Sequence, residues 1–290
     1  MKKTSLLKEY ILDEEILMIP VAHDALCARV AERVGFKAIF TAGYANTASL
    51  LGKPDVSLLT LTEMVDCASR ICDAADIPVF ADGDTGHGNV TNVVRTVKLF
   101  EKAGVAGLFL EDQVEPKWCD HMAGKQVIPP EEMVAKIKAA LDARSDPDLI
   151  IMARTDALAV NGLEDAICRG NLYAEAGADL IFVEAPISIE QMRRITRGVK
   201  APNMVNMIPG GRTPLLTARE LQDIGYSVVS YATACTYTIA RAVEDLFEEL
   251  IRTGTTAGFE DRMMRFDEFN RLVGVEGIRE KEAAYIKDHP

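Results

Sequence analysis

The sequence predicts an α/β chain folded as a (β/α)8 TIM-type barrel, and three observations lead there. Short apolar runs rich in Val, Ile, Leu and Phe recur from Ile16 to Ala232. Amphipathic stretches of helical period separate them. Together they make about eight strand–helix units in about 250 residues, the size of such a barrel. A doubly wound open sheet is the rival, but it usually has fewer strands. Its dinucleotide-binding form also needs a G-x-G-x-x-G turn after the first strand. The segment VAHDALCARV follows the first strand here and contains no glycine.

The strands follow in order. ILMIPVA begins at Ile16, AIFTAG at Ala38, PVFADGD at Pro78 and GLFLEDQ at Gly107. LIIMARTDA begins at Leu149, DLIFVEA at Asp179, NMVNMI at Asn203 and SVVSYA at Ser227. None alternates apolar with polar, so each reads as a strand buried on both faces. Between them, TLTEMVDCASRICDAA and VTNVVRTVKLFEKAG have helical period. PPEEMVAKIKAALDA carries two prolines where a helix tolerates them, at its N-terminus. LEDAICRGNLYAEAGA and TARELQDIG end at or near glycine, as helix C-caps do. The tail after Ala257 reads as helical and carries apolar residues such as Phe266, Phe269, Leu272 and Val273. With no low-complexity linker, the expectation is one barrel domain over 1–290, with 258–290 a helical C-terminal extension.

Composition narrows the function. The chain is 48% hydrophobic and 26% charged, which excludes a disordered or collagen-like polymer. Its formal net charge of −12 repels phosphate backbones, so no nucleic-acid partner is expected. No apolar run reaches the roughly 18 residues of a membrane span. Acidic residues interrupt MKKTSLLKEYILDEEIL, so no signal peptide is expected. None of the six cysteines forms a C-x-x-C pair, and no His/Cys cluster has zinc spacing along the sequence. Reduced thiols in a cytoplasmic protein follow.

Barrel chemistry sits at strand C-termini, and polarity gathers there. Asp82 and Asp84 follow PVFA, Glu111, Asp112 and Gln113 follow GLFL, and Arg154 and Asp156 follow LIIMA. Glu184 follows DLIFV, and Asn206 closes PNMV. One polar strand end is ordinarily a helix cap, but five in phase point to a shared site. Carboxylates facing one cavity repel each other, and a divalent cation such as Mg²⁺ or Mn²⁺ relieves this. The loop EPKWCDHMAGKQ adds Lys117, Cys119, His121 and Lys125. A thiol beside Lys and His has a lowered pKa, although Asp120 works against it. Such a thiol on a barrel loop is a candidate proton donor or acceptor.

Asp55 in LGKPDVS, Asp82-Gly-Asp84-Thr-Gly-His-Gly, Glu111-Asp-Gln, Lys117-Trp-Cys119-Asp-His121 and Met152-Ala-Arg154-Thr-Asp156-Ala resemble the isocitrate lyase/phosphoenolpyruvate mutase superfamily, from about Ile19 to about Leu250. The resemblance implies a barrel whose last helix is swapped between subunits of a homotetramer. It also implies Mg²⁺-dependent cleavage of a small 2-hydroxy dicarboxylate. On that basis Asp82 would ligate Mg²⁺ directly, and Asp55, Asp84 and Glu111 would hold its waters. Ala42, Gly43 and Tyr44, with Arg154, would grip the keto acid, and Glu184 and Asn206 would line the other half of the site. Cys119 would protonate the departing carbanion, with Lys117 and His121 beside it. The base that takes the hydroxyl proton stays open among His23, His87 and Tyr44.

Departures from the family pattern bear on the substrate. Trp118 and Asp120 stand where relatives commonly carry a cation and a glycine. Ile208 and Pro209 replace a Thr and a Glu, and Ala232 replaces the proline of a Tyr-Pro pair. Asp120 would repel a second carboxylate and Ile208 cannot hydrogen-bond one. The expected substrate is therefore 2,3-dimethylmalate, giving pyruvate and propionate. Methylisocitrate (giving pyruvate and succinate), oxaloacetate hydrolysis and an inactive ligand-binding barrel are the alternatives.

Overall fold

The eight apolar runs form eight strands in the computed structural model, which describes residues 1–117 and 124–288. They are β1 (Leu17–Pro20), β2 (Ile39–Thr41), β3 (Val79–Asp82), β4 (Gly107–Glu111), β5 (Ile150–Thr155), β6 (Leu180–Val183), β7 (Asn203–Asn206) and β8 (Val228–Tyr231). The helices are α1 (Lys3–Leu12), α2 (Ala25–Arg33), α3 (Gly43–Leu51), α4 (Leu61–Ala74), α5 (Val90–Ala103), α6 (Pro130–Ala143) and α7 (Ala157–Val160). They continue with α8 (Leu163–Glu175), α9 (Ile189–Gly198), α10 (Ala218–Ile224), α11 (Ala234–Thr253), α12 (Phe266–Leu272) and α13 (Val275–Asp288). All ladders are parallel, in the order β1-β8-β7-β6-β5-β4-β3-β2. A parallel bridge between Val21 and Phe40 brings the ends of the sheet together, confirming the barrel.

Local chemistry explains the boundaries. Thr60 and Glu63 form a capping box that opens α4, and Thr217 and Glu220 open α10 the same way. Pro130 occupies the first turn of α6, where its missing N–H costs nothing. Gly104 and Gly225 close α5 and α10 in the left-handed conformation.

Strand periodicity then sorts neighbouring strand residues into different buried clusters. Phe40, Phe80, Phe109, Met152, Phe182 and Met204 belong to one buried cluster with Ile19 and Val228. Their intervening neighbours Ala81, Leu108, Leu110, Ile151, Ala153, Ile181 and Val183 belong to another, shared with α5, α6 and α8. The rings of Phe40 and Phe80 meet edge to face at 5.6 Å, and Phe40 and Phe109 lie 5.8 Å apart. Each such buried ring contributes roughly 1.5–3 kcal/mol by leaving water.

The chain divides into two compact units, Met1–Thr236 and Tyr237–Pro290. Within the second, Arg262 pairs with Asp245 and lies 4.4 Å from the centre of the Phe259 ring. Among the described residues no helix is long and apolar enough to cross a membrane.

Candidate active site

Period two places the polar strand ends. Phe80, Phe109, Met152, Phe182 and Met204 share the first cluster, so residues two further on face the same side. Those residues are Asp82, Glu111, Arg154, Glu184 and Asn206, all buried. They meet Asp55 from the loop after α3, and Lys117 from the loop after β4.

Asp82 fixes the geometry of the acids. Its Oδ2 accepts the Gly43 N–H at 2.7 Å, and its Oδ1 accepts the Asp84 N–H at 2.9 Å. Asp84 has φ 51°, an uncommon conformation for a residue with a side chain. Its carbonyl is held in turn by the Glu111 N–H at 2.9 Å. A Cβ at Gly83 would stand 2.6 Å from the Phe109 carbonyl, so only glycine lets the chain pass there. At Gly43 a Cβ would stand 3.0, 3.3 and 3.4 Å from carboxylate oxygens of Asp82, Asp55 and Asp84. Three acids therefore converge on one point that the missing side chain keeps open.

The charges there are strongly perturbed. Burial pushes Asp84 up to about 7, Asp82 and Asp55 add to the rise, and Lys117 opposes it. Burial likewise holds Glu111 well above the usual carboxylate range, against the pull of Arg154 and Lys117. For Lys117 burial favours the neutral amine, but Asp84, Asp82, Glu111 and Asp55 outweigh it and hold the ammonium charged. That ammonium pairs with Asp84 and lies 3.1 Å from Asp55. A cradle of buried carboxylates around a point occupied by positive charge is what a hard divalent cation requires. The donor set thus fits Mg²⁺ or Mn²⁺, with Asp82, Asp55, Asp84 and Glu111 as the residues able to hold it.

A second group organises Arg154. Its guanidinium lies 5.9 Å from the centre of the Phe109 ring and 5.4 Å from that of Phe182. Its Nε is 3.2 Å from Glu111 and 3.9 Å from Glu184. Asp156 grips it at two points and also pairs with Lys125. Behind this, Asp112 accepts the Asp156 N–H at 2.9 Å, the Thr155 hydroxyl at 2.7 Å and the Tyr173 hydroxyl at 2.8 Å. Arg169 reaches the same Asp112 at 3.2 Å. The sequence singled out neither Tyr173 nor Arg169. Their one signal is a polar pair four residues apart on the buried face of α8.

Of the expected site residues, Ala42, Tyr44, Asp55, Asp82, Lys117, Arg154 and Asn206 line one pocket, joined by Phe40, Phe109, Phe182, Ala232 and Thr233. Gly43, Asp84, Glu111 and Glu184 touch its lining through the bonds above. Cys119 and His121, with Trp118 and Asp120, lie outside the described residues. His23 and His87 do not line this pocket, whereas Tyr44 does.

Fold and site together define a barrel enzyme whose strand ends carry a carboxylate centre beside an anchored arginine. The family described as phosphoenolpyruvate phosphomutase matches residues 7–251, and the chain belongs to the phosphoenolpyruvate mutase/isocitrate lyase superfamily. It is 50% identical to 2,3-dimethylmalate lyase of Eubacterium barkeri, over 98% of this chain and 99% of that one. It is 41% identical to 2-methylisocitrate lyase of Aeropyrum pernix, over 96% and 89% of the two chains. A solved structure of phosphonopyruvate hydrolase in complex with oxalate and Mg²⁺ superposes with a TM-score of 0.90. That protein is 28% identical, over 99% of this chain and all of its own.

Proposed function

We propose that this chain cleaves the C2–C3 bond of a 2-hydroxy dicarboxylate, with 2,3-dimethylmalate split into pyruvate and propionate. One observation carries the reading. In a single pocket, acids and Arg154 stand against an apolar wall of Phe40, Phe109, Phe182, Ala42 and Ala232. Ile208 is buried in the same cluster as Ala42, Phe182 and Ala232, so no hydrogen bond from position 208 awaits a second carboxylate. The kinship with 2,3-dimethylmalate lyase points the same way.

The roles follow from the residues. Arg154, held in place by Asp156, binds the carboxylate of the keto-acid half together with the backbone of Ala42 to Tyr44. Tyr44, which lines the same pocket, takes up the C2 hydroxyl proton in this reading. Asn206 and the apolar wall receive the propionate half. Cys119 protonates the carbon released when the bond breaks, assisted by Lys117 and His121 of the same sequence segment. The superfamily includes a Mg²⁺ complex, and Asp82, Asp55, Asp84 and Glu111 would hold the ion here. Bound Mg²⁺, or Mn²⁺, supplies positive charge that stabilises the negative oxygen developing at C2. Atoms balance without water, because the hydroxyl proton lost from C2 is matched by the one delivered to C3.

We also place the enzyme in the cytoplasm as a homotetramer exchanging its C-terminal helices, with 258–290 as extension of a single barrel domain. In support, five described cysteines are free. Phe266, Tyr285 and Ile286 are 86%, 73% and 69% exposed in the single chain and want a covering partner. The net charge of −12 speaks against nucleic acid.

The test is a panel of 2,3-dimethylmalate, methylisocitrate and oxaloacetate with Mg²⁺, read as pyruvate, propionate, succinate and oxalate. Pyruvate and propionate should appear in equal amounts and be suppressed in Cys119→Ser. Ile208→Thr should raise the kcat/KM ratio of methylisocitrate to dimethylmalate about tenfold, the worth of one hydrogen bond to a charged group. Oxalate as the dominant product would replace the lyase reading by C–C hydrolysis.

A further inference from the structure

β1 and β8 pair in the sheet, and the connections that follow them bring together three side chains that the carboxylate centre does not use. His23 precedes α2, Cys27 lies in its first turn, and Cys235 lies in the first turn of α11. Cys27 Sγ stands 3.8 Å from Cys235 Sγ and 3.9 Å from His23 Nε2. All three ligand atoms lie within 4.8 Å of one another. Spacing along the sequence gave no hint of this, because Cys235 is brought in by closure of the barrel.

We propose that His23, Cys27 and Cys235 form a binding site for one thiophilic divalent cation of the zinc type, separate from the carboxylate centre. Tetrahedral zinc has bonds of about 2.3 Å to sulfur and 2.0–2.1 Å to nitrogen, which sets its ligand atoms roughly 3.4–3.8 Å apart. The two distances from Cys27 Sγ already lie close to that range. A disulfide would instead require the sulfurs to close to about 2.05 Å, so the two thiols stand unbonded and free to bind an ion.

The surroundings are built for it. His23 is 5% exposed, and its carbonyl accepts from the Cys67 thiol at 3.4 Å, which fixes the backbone. Asp24 Oδ1 caps α2 by accepting the Cys27 N–H at 2.7 Å, which sets the thiol's direction. Its other oxygen lies 3.8 Å from His23 Nε2, and a water completes the tetrahedron around the three protein ligands. His23 and Asp24 also line a surface pocket with Ser49, Leu50, Asp66 and Arg70, giving the ion a path in. The two thiols share one hydrogen bond, donated by Cys235 to Cys27. Both thiols release their protons to solvent as the metal takes their place. Ligand hardness sorts the ions, with thiolate and imidazole taking zinc and the all-oxygen cradle taking Mg²⁺. The bound ion would tie the connection after β1 to the one after β8.

The experiment is a titration of chelator-treated, reduced protein with Co²⁺ as the spectroscopic probe, in excess Mg²⁺ to saturate the carboxylates. One equivalent should give a thiolate-to-cobalt charge-transfer band that one equivalent of Zn²⁺ removes. The band should be lost in Cys27→Ser and in Cys235→Ser and kept in Cys119→Ser and Cys168→Ser. Alkylation of the wild-type protein, mapped by peptide mass spectrometry, covers the case of variants that misfold. There Zn²⁺ should shield Cys27 and Cys235 and leave Cys168 reactive. Absence of the band, a band surviving in both variants, or unshielded Cys27 and Cys235 would overturn the site. So would a Cys27–Cys235 disulfide in the protein as purified.

Discussion

Asp156 holds Arg154 by two hydrogen bonds, from Nε to Oδ2 at 2.9 Å and from Nη2 to Oδ1 at 3.1 Å. The same carboxylate pairs with Lys125, and its own backbone N–H is tied to Asp112. Arg154 is therefore positioned before any substrate arrives, which spares the reaction the cost of ordering it. All of these groups are buried, so loss of one charge leaves the others under-compensated. Asp156→Asn should lower kcat/KM about 100-fold by releasing the guanidinium. It should also cost about 3–5 kcal/mol of stability, as broken buried ion pairs do. Steady-state kinetics and urea unfolding check both, and a variant with normal values on both counts would remove the clamp from the mechanism.

Gly43 carries a different expectation. A methyl group there would meet Asp82, Asp55 and Asp84 oxygens at 3.0–3.4 Å. Gly43 opens α3, where alanine is otherwise welcome, so the fold should survive. Crowding of this kind costs about 1–3 kcal/mol, so Gly43→Ala should raise the Mg²⁺ concentration for half-maximal activity roughly tenfold or more. Circular dichroism and a Mg²⁺ titration separate the two effects. An unchanged Mg²⁺ requirement would mean that the cation does not sit beside this glycine.

Alkaline pH should weaken the fold. Burial raises Cys67 to about 11 and Cys72 to about 12, from an ordinary value of 9.0. Above pH 9 the unfolded chain gives up these protons while the folded chain keeps them. The folded state then binds more protons, so stability falls as pH rises through that window. The urea midpoint should drop between pH 9 and 11, and less steeply in Cys67→Ala/Cys72→Ala. Equal slopes in the two proteins would assign the loss to other groups.

These expectations rest on residues that differed in how far the sequence disclosed them. Asp82, Glu111, Arg154 and Asn206 were legible because each lies in the last two positions of a buried strand, where a polar residue is costly unless it serves a site. Helices α4, α5 and α6 were legible from period and capping. Helix α3, GYANTASLL, was not, because Gly, Asn and Thr are weak helix formers and burial of Ala45, Asn46 and Thr47 holds it together. Helix α9 carried an overlooked signal, with Ser188 capping an amphipathic run. The Asp112 cluster was hidden because Tyr173 and Arg169 reach it from α8, and only the packing of α8 on the barrel makes them neighbours. The same holds for Cys27 and Cys235, which stand on connections at opposite ends of the barrel sequence.

The most direct measurement is anomalous diffraction from crystals grown with Mn²⁺ and oxalate. A single strong manganese peak is expected within coordinating distance of Asp82, among Asp55, Asp84 and Glu111, with oxalate reaching toward Arg154. Manganese elsewhere, or Asp82 turned away from it, would contradict the assignment of this cluster as the catalytic centre.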